Sequence, residues 1–216
     1  MAVLSLIAIL VGTVAELAPT MASKAAQPEP LAGVTPYTPL EVAGRDIYVR
    51  EGCYNCHSQW VRPFRSETLR YGPWSRGGEY VYDRPFQLGS RRIGPDLMRV
   101  GGKYPDAWHY EHMRNPRSVS AASVMPPYPW LHEWTWDAAD VQRSVTALRW
   151  AGTPYTDADV AGVAESTMSQ ANGIVGRLAE QGITTTPDKE IVALIAYLQR
   201  LGVDGRAAIA LQEEGE

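Results

Sequence analysis

Cys53-Tyr54-Asn55-Cys56-His57 places two thiols three positions apart with an imidazole directly after the second. This is the C-x-x-C-H pattern of covalent haem attachment. The spacing has a physical reason: near a helix end each thiol reaches one vinyl group of a porphyrin, and the adjacent imidazole then lies under the iron. Both sulfurs and one axial ligand come from five consecutive residues, so the ring is fixed to the backbone at little further entropic cost. Three other readings compete. A thiol redox pair needs a thioredoxin-like setting with a strand before it, whereas the preceding segment here reads as a capped helix. A structural zinc site needs two more ligands, for which His109 and His112 are candidates, although their two-residue gap is shorter than usual. The third is chance.

An electron-carrying haem needs a second axial ligand, and His/Met ligation raises its potential. Met125 precedes Pro126 and Pro127 in a loop whose stiffness can hold a thioether in place. It is the expected ligand, with Met98, also in a loop, as its rival. Met113 falls in a predicted helix, where methionine more often fills core space.

The elements that must position these groups read as follows. Met1 to Ala15 carries no charge and the apolar run continues to Ala18, about 27 Å as a helix, just enough to cross a membrane. A cleaved signal peptide would need a basic start, and the first basic residue is Lys24. Residues 1–18 are therefore expected to be a transmembrane anchor, shortened at its start, and residues 19–38 a linker rich in proline and small residues. Thr38, Pro39 and Glu41 form a capping box, predicting a helix from Pro39 to Glu51 that Gly52 stops. Residues 58–104 lack a sustained period and read as irregular loop. Further helices are expected over 105–115, 137–150 and 157–170, the last interrupted by Asn172 and Gly173, and over 187–201. The haem domain is expected to span residues 39–204, and the acidic tail 205–216 to be loosely ordered.

The composition agrees with a haem-organised fold: seven Trp and eleven Tyr stand against two Phe, with sixteen Pro and nineteen Gly. The net charge of −4 gives no basic field, so nucleic acid is not an expected partner.

Gly44 and Tyr48 before the motif, with Tyr197 in the last helix, resemble the crossing helices of class I cytochromes c. Gly94-Pro95-Asp96-Leu97 resembles the loop before their methionine ligand. A more specific resemblance joins the run from Glu51 to Arg65, Ile93 to Leu97, Val100-Gly101-Gly102 and Met125 to Trp130, with Pro154-Tyr155-Thr156 further on. These stretches are similar to the membrane-anchored mono-haem subunit II of cbb-type (C-family) haem-copper cytochrome c oxidases. Residues 170–186 depart from the pattern and read as an insertion.

The resemblance implies a mainly α class I cytochrome c fold with one N-terminal transmembrane helix. It implies one haem c on Cys53 and Cys56, with His57 and Met125 axial to the iron. The expected role is electron transfer to an oxygen-reducing subunit I, beside a further cytochrome c subunit and fed by a donor cytochrome c. The implied setting is the bacterial inner membrane, with the haem domain in the periplasm and no oxygen-reducing site in this chain. The alternatives are a tethered cytochrome shuttle, the cytochrome subunit of a related nitric oxide reductase, and a haem-based gas sensor. Arg62, Arg65, Arg91 and Arg92 flank the motif and the Gly-Pro loop and are candidate partners for the haem propionates. Trp60, Trp74, Tyr128 and Trp130 are candidates for the haem wall or a subunit contact. His109 and His112 are expected at the surface or hydrogen-bonded.

Overall fold

The computed structural model of the chain describes residues 1–23, 28–89 and 91–214. Residues 24–27 of the expected linker and 215–216 of the tail lie outside the described residues. The first helix, α1 (Ala2–Ala22), is 21 residues long with a mean hydropathy of 2.1. At about 31 Å it is long and apolar enough to cross a membrane. None of its residues is buried in the protein, and the hydroxyls of Thr13 and Thr20 bond back to the carbonyls of Ile9 and Glu16, each at 2.8 Å. These two hydroxyls are thereby satisfied within the helix, as a lipid environment requires.

The rest is helical, and the described residues contain no strand, only an isolated bridge between Thr135 and Lys189. Helix α2 (Pro39–Arg50) starts at the expected capping box: the Thr38 amide donates to Glu41 at 2.8 Å, and the Glu41 amide donates to the Thr38 hydroxyl. Next come α3 (Arg65–Tyr71), α4 (Asp106–Arg114), α5 (Pro116–Val119), α6 (Ala138–Trp150), α7 (Asp157–Ala161), α8 (Val163–Glu180), α9 (Glu190–Arg200) and α10 (Val203–Glu214).

Helix α9 is buried from Glu190 to Leu198, nearly all round, and forms the centre of the core. Each fully buried Ile or Leu there contributes about 1.5–3 kcal/mol. It packs chiefly on α2, with α4 and α8 also against it. Gly44 sits at the crossing of α2 and α9, where a methyl group would overlap the Ala193 carbonyl and lie 2.8 Å from the Tyr197 Cβ. The helices can approach this closely only because Gly44 has no side chain. The Tyr197 ring then rests 5.4 Å from Tyr48 and 5.6 Å from Tyr37.

Three expectations fail. Residues 58–104 are not wholly irregular, since they include α3 and a 3-10 turn at Gly77–Glu79. Asn172 and Gly173 do not interrupt a helix; the break falls at Gly162, and α8 runs through both residues to Glu180. Val163, Thr167, Ala171, Ile174 and Leu178 make one buried stripe on α8, and covering it outweighs the cost of about 1 kcal/mol for a mid-helix glycine. The segment after Asp204 is helical as well, with Ala208 and Ile209 each only 2 % exposed, so apolar packing orders it.

The layer over residues 58–104 holds a small apolar cluster of Val61, Tyr80 and Met98. Charge fixes it to α2, where Arg45 meets Asp83 at 2.5 Å, and braces it internally, where Arg99 pairs bidentately with Glu79 at 2.5 and 2.8 Å. The side chains of both pairs are almost wholly removed from solvent.

Candidate functional site

Helix α2 delivers the pentapeptide. The chain leaves Glu51, turns at Gly52 with φ +69°, a left-handed conformation that favours glycine, and enters a 3-10 turn over Cys53–Asn55. The Cys56 and His57 amides both donate to the Cys53 carbonyl, at 3.1 and 2.9 Å. Both thiols and the imidazole thereby line one cavity of about 670 Å³, a size usual for cofactor sites.

The Gly94-Pro95-Asp96 turn fixes the imidazole. His57 Nδ1 lies 2.8 Å from the Pro95 carbonyl, which can only accept, so Nδ1 carries the proton and Nε2 keeps a free lone pair. Gly94 lies flat against the ring: a Cβ there would come within 2.8 Å of both ring nitrogens. The Gly94 amide donates to the Cys56 carbonyl at 2.9 Å. Buried Asp96 ties the two segments together by accepting from the Ser58 hydroxyl (2.5 Å), the Trp60 amide (2.8 Å) and the Met98 amide (2.9 Å). Burial lowers the His57 pKa, opposed by the Pro95 carbonyl and Asp96, so the ring is neutral at neutral pH, the form that binds a metal.

The Cys53 thiol is poorly placed for thiol redox chemistry. Burial, with Glu51 adding to it, pushes Cys53 up to about 12. A nucleophilic thiol at that position would need the opposite shift. The described residues also contain no group of three or more His, Cys, Asp or Glu arranged to hold a metal ion, so Cys53, Cys56, His109 and His112 do not converge as a zinc site.

Met125 and Tyr128 lie on the cavity wall, and the Tyr128 amide donates to the Met113 carbonyl at 2.8 Å, strapping the loop to α4. Met113 also lines the wall. Met98 does not: it is 5 % exposed and packs with Val61 and Tyr80. Tyr48, Leu194 and Leu198 bring the crossing of α2 and α9 to the same wall. Two thiols, an imidazole with a free nitrogen, a thioether and an apolar lining can together hold an iron porphyrin.

Arg62 and Arg92 line an adjoining pocket that shares Arg70, Tyr71, Ile93, Gly94 and Pro95 with the cavity wall, whereas Arg65 and Arg91 line neither. Arg62 pairs with Glu67, while Arg92 reaches the Ser58 hydroxyl and the Trp60 carbonyl (both 2.6 Å), Glu67 (2.8 Å) and Asp96 (3.3 Å). Arg65 and Arg91 are exposed. The wall cations are instead Arg70, Arg99 and Lys103. Of the four candidate aromatics only Tyr128 lines the cavity; Trp60 and Trp74 are 45 % and 37 % exposed, and Trp130 donates to Glu51 at 3.1 Å.

The reading of His109 and His112 as surface or hydrogen-bonded residues is corrected. Both line the cavity, and one ring nitrogen of each is buried with no hydrogen-bond partner. Their i, i+3 spacing, with Met113 at i+4, was the signal that they share the buried face of α4.

A family model described as "Cytochrome C oxidase, mono-heme subunit/FixO" matches residues 1–204. No curated protein matches the chain.

Proposed function

Since the chain belongs to the mono-haem subunit family of cytochrome c oxidases, we propose that it carries one covalent haem c and relays single electrons to the oxygen-reducing subunit of a cbb-type oxidase. The observation that carries this is the one cavity onto which Cys53, Cys56, His57 and Met125 all open. In this reading Cys53 and Cys56 would hold the porphyrin through thioethers, and His57 Nε2 and the Met125 sulfur would ligate its iron. When bound, the haem iron accepts and releases one electron by cycling between ferric and ferrous forms.

The chain's own residues do the remaining work. The Pro95 carbonyl and Gly94 hold the His57 ring in one tautomer and orientation, which limits reorganisation at the ligand. Tyr48, Leu194, Leu198 and Tyr128 line the cavity and would pack against the ring. Helix α1 spans the inner membrane and keeps the domain, residues 39–204, on the periplasmic side. Tethering replaces diffusional encounter by a high effective concentration beside a fixed partner. That partner is the haem-copper subunit I, which holds the oxygen site, with a further cytochrome c subunit beside it and a soluble or tethered cytochrome c as donor.

The test is purification of the full-length chain from membranes in mild detergent. It is expected to co-purify with oxygen-reducing activity, to keep its haem through denaturing electrophoresis, and to resist carbon monoxide when reduced. A colourless chain, or a monomer with no oxidase attached, would overturn the assignment. Ready carbon monoxide binding would favour a gas sensor.

A further inference from the structure

The chain between α1 and α2 is not slack throughout. From Pro28 to Tyr37 it lies along the helical domain and is held at three points. Pro28, Glu29 and Leu31 press on the Gly77–Gly78 turn: a Cβ at Gly78 would overlap the Glu29 carbonyl, and the Leu31 amide donates to the Gly78 carbonyl at 3.3 Å. Thr35 is gripped on both sides. Its amide donates to Asp204 at 3.0 Å, while Arg200 donates to its carbonyl at 3.1 Å and to its hydroxyl at 2.8 Å. The Tyr37 carbonyl accepts from the Tyr155 hydroxyl at 2.6 Å, and its ring stands edge-on to Tyr197.

Resting on the reading of α1 as a membrane anchor, we propose that Arg200 and Asp204 form a clamp that shortens the tether and commits the haem to a fixed partner beside its own anchor. The two residues pair with each other across the turn joining α9 to α10, and Arg200 also reaches Glu41 at 3.5 Å. The groups that meet Thr35 are thereby held in place. Asp204 stands in the first turn of α10, which is seated by buried Ala208 and Ile209. Gly205 beside it lies directly against the Glu79 carboxylate, at the end of the same Gly77–Glu79 turn that receives Pro28 and Leu31. Both ends of the strap are thus tied to one packed unit.

The effect on reach is large. A fully extended chain spans at most about 18 Å between Ser23 and Pro28, but about 54 Å between Ser23 and Thr38. Effective concentration beside a fixed site falls as the tether lengthens past the span it must bridge. The longer tether would suit a shuttle that visits several partners. The shorter one suits a haem that serves a single subunit of its own complex.

The test uses the full-length chain in lipid nanodiscs. Hydrogen exchange read by mass spectrometry should show residues 31–37 protected. Asp204→Ala should speed their exchange roughly ten- to hundredfold, the worth of a hydrogen bond to a charged group, while residues 191–198 of α9 keep their protection. Asp204→Asn, which keeps an acceptor, should restore part of the protection. In the haem-loaded chain, quenching of fluorophore-labelled headgroups by the haem should weaken in Asp204→Ala. A Gly-Ser insertion between Ser23 and Pro28 should weaken it too with exchange unchanged, and it serves where Asp204→Ala fails to fold. Residues 31–37 exchanging freely in the wild type, or staying protected in Asp204→Ala, would overturn the clamp. Protection lost equally from α9 would mark a merely structural role and overturn it as well. Headgroup quenching indifferent to both changes would overturn the short tether. A colourless chain would sink the haem assignment, while the exchange measurement would still decide the clamp.

Discussion

Gly44→Ala isolates the close approach on which the cavity wall is built. By intrinsic propensity, alanine in place of glycine inside a helix stabilises by about 1 kcal/mol. At this position the added methyl overlaps the Ala193 carbonyl, a backbone atom of the most buried helix, and sits 2.8 Å from the Tyr197 Cβ. Neither neighbour is the free end of a flexible side chain, so α2 and α9 must separate. Overpacking of this kind costs about 1–3 kcal/mol and occasionally more. Loosening the Tyr48–Tyr197 contact removes a further ~0.5–1.5 kcal/mol. After subtracting the propensity gain, a net loss of about 2 kcal/mol is expected. For a chain of this size that is a fall in Tm of roughly 4–8 °C. The assay is thermal unfolding of the full-length, haem-loaded chain followed by circular dichroism. Gly173→Ala serves as its control: the new methyl there meets only the Arg177 guanidinium, at 3.8 Å, so the propensity gain should survive and Tm should rise slightly. A Gly44→Ala protein as stable as wild type would refute the argument, because propensity would then have decided the outcome and the helices would not meet at that residue.

Gly94→Ala drives a methyl into the His57 ring and should weaken the imidazole–iron bond, seen as a partly high-spin absorption spectrum, while Tm falls little. Met125→Ala should abolish the sulfur-to-iron charge-transfer band of the oxidised protein, whereas Met98→Leu should keep the band and cost less than about 1.5 kcal/mol of stability. Arg92, then Arg62, holds the Glu67 carboxyl down at about 2, below the usual carboxylate range. Its stabilising contribution is therefore complete above about pH 5 and lost as pH falls toward 2. Glu67→Gln should accordingly lower the urea midpoint at pH 7 but match wild type near pH 2; a gap that persists in acid would show that packing, not charge, is responsible.

What the sequence made legible was local. The capping box at Thr38 and Glu41 and the attachment pentapeptide depend on residues within a few positions of each other, and the family resemblance rests on contiguous stretches of the same kind. Burial pattern decided the rest. Asn172 and Gly173 read as a breaker because propensity is a property of each residue, while the stripe from Val163 to Leu178 that overrides it extends over about four turns. Ala208 and Ile209 were hidden in an acidic tail for the same reason. For the arginines, sequence showed only that they flank the attachment motif and the Gly-Pro loop; that Glu67 and Asp96 pair with Arg62 and Arg92 beside an adjoining pocket is visible only in three dimensions. His109 and His112 could have been recognised from helical spacing, but their empty hydrogen-bond capacity is visible only in three dimensions.

The sealed pairs Arg45–Asp83 and Arg99–Glu79 constrain how the layer over residues 58–104 can vary between relatives. Removing one member strands its partner's charge, a loss of about 3–5 kcal/mol, while exchanging both for apolar groups of similar volume is often neutral or favourable. This layer should therefore drift by coupled double replacements. A selection for folded variants randomised at Glu79 alone should return almost only the parental carboxylate, whereas one randomised at Glu79 and Arg99 together should return well-packed hydrocarbon solutions.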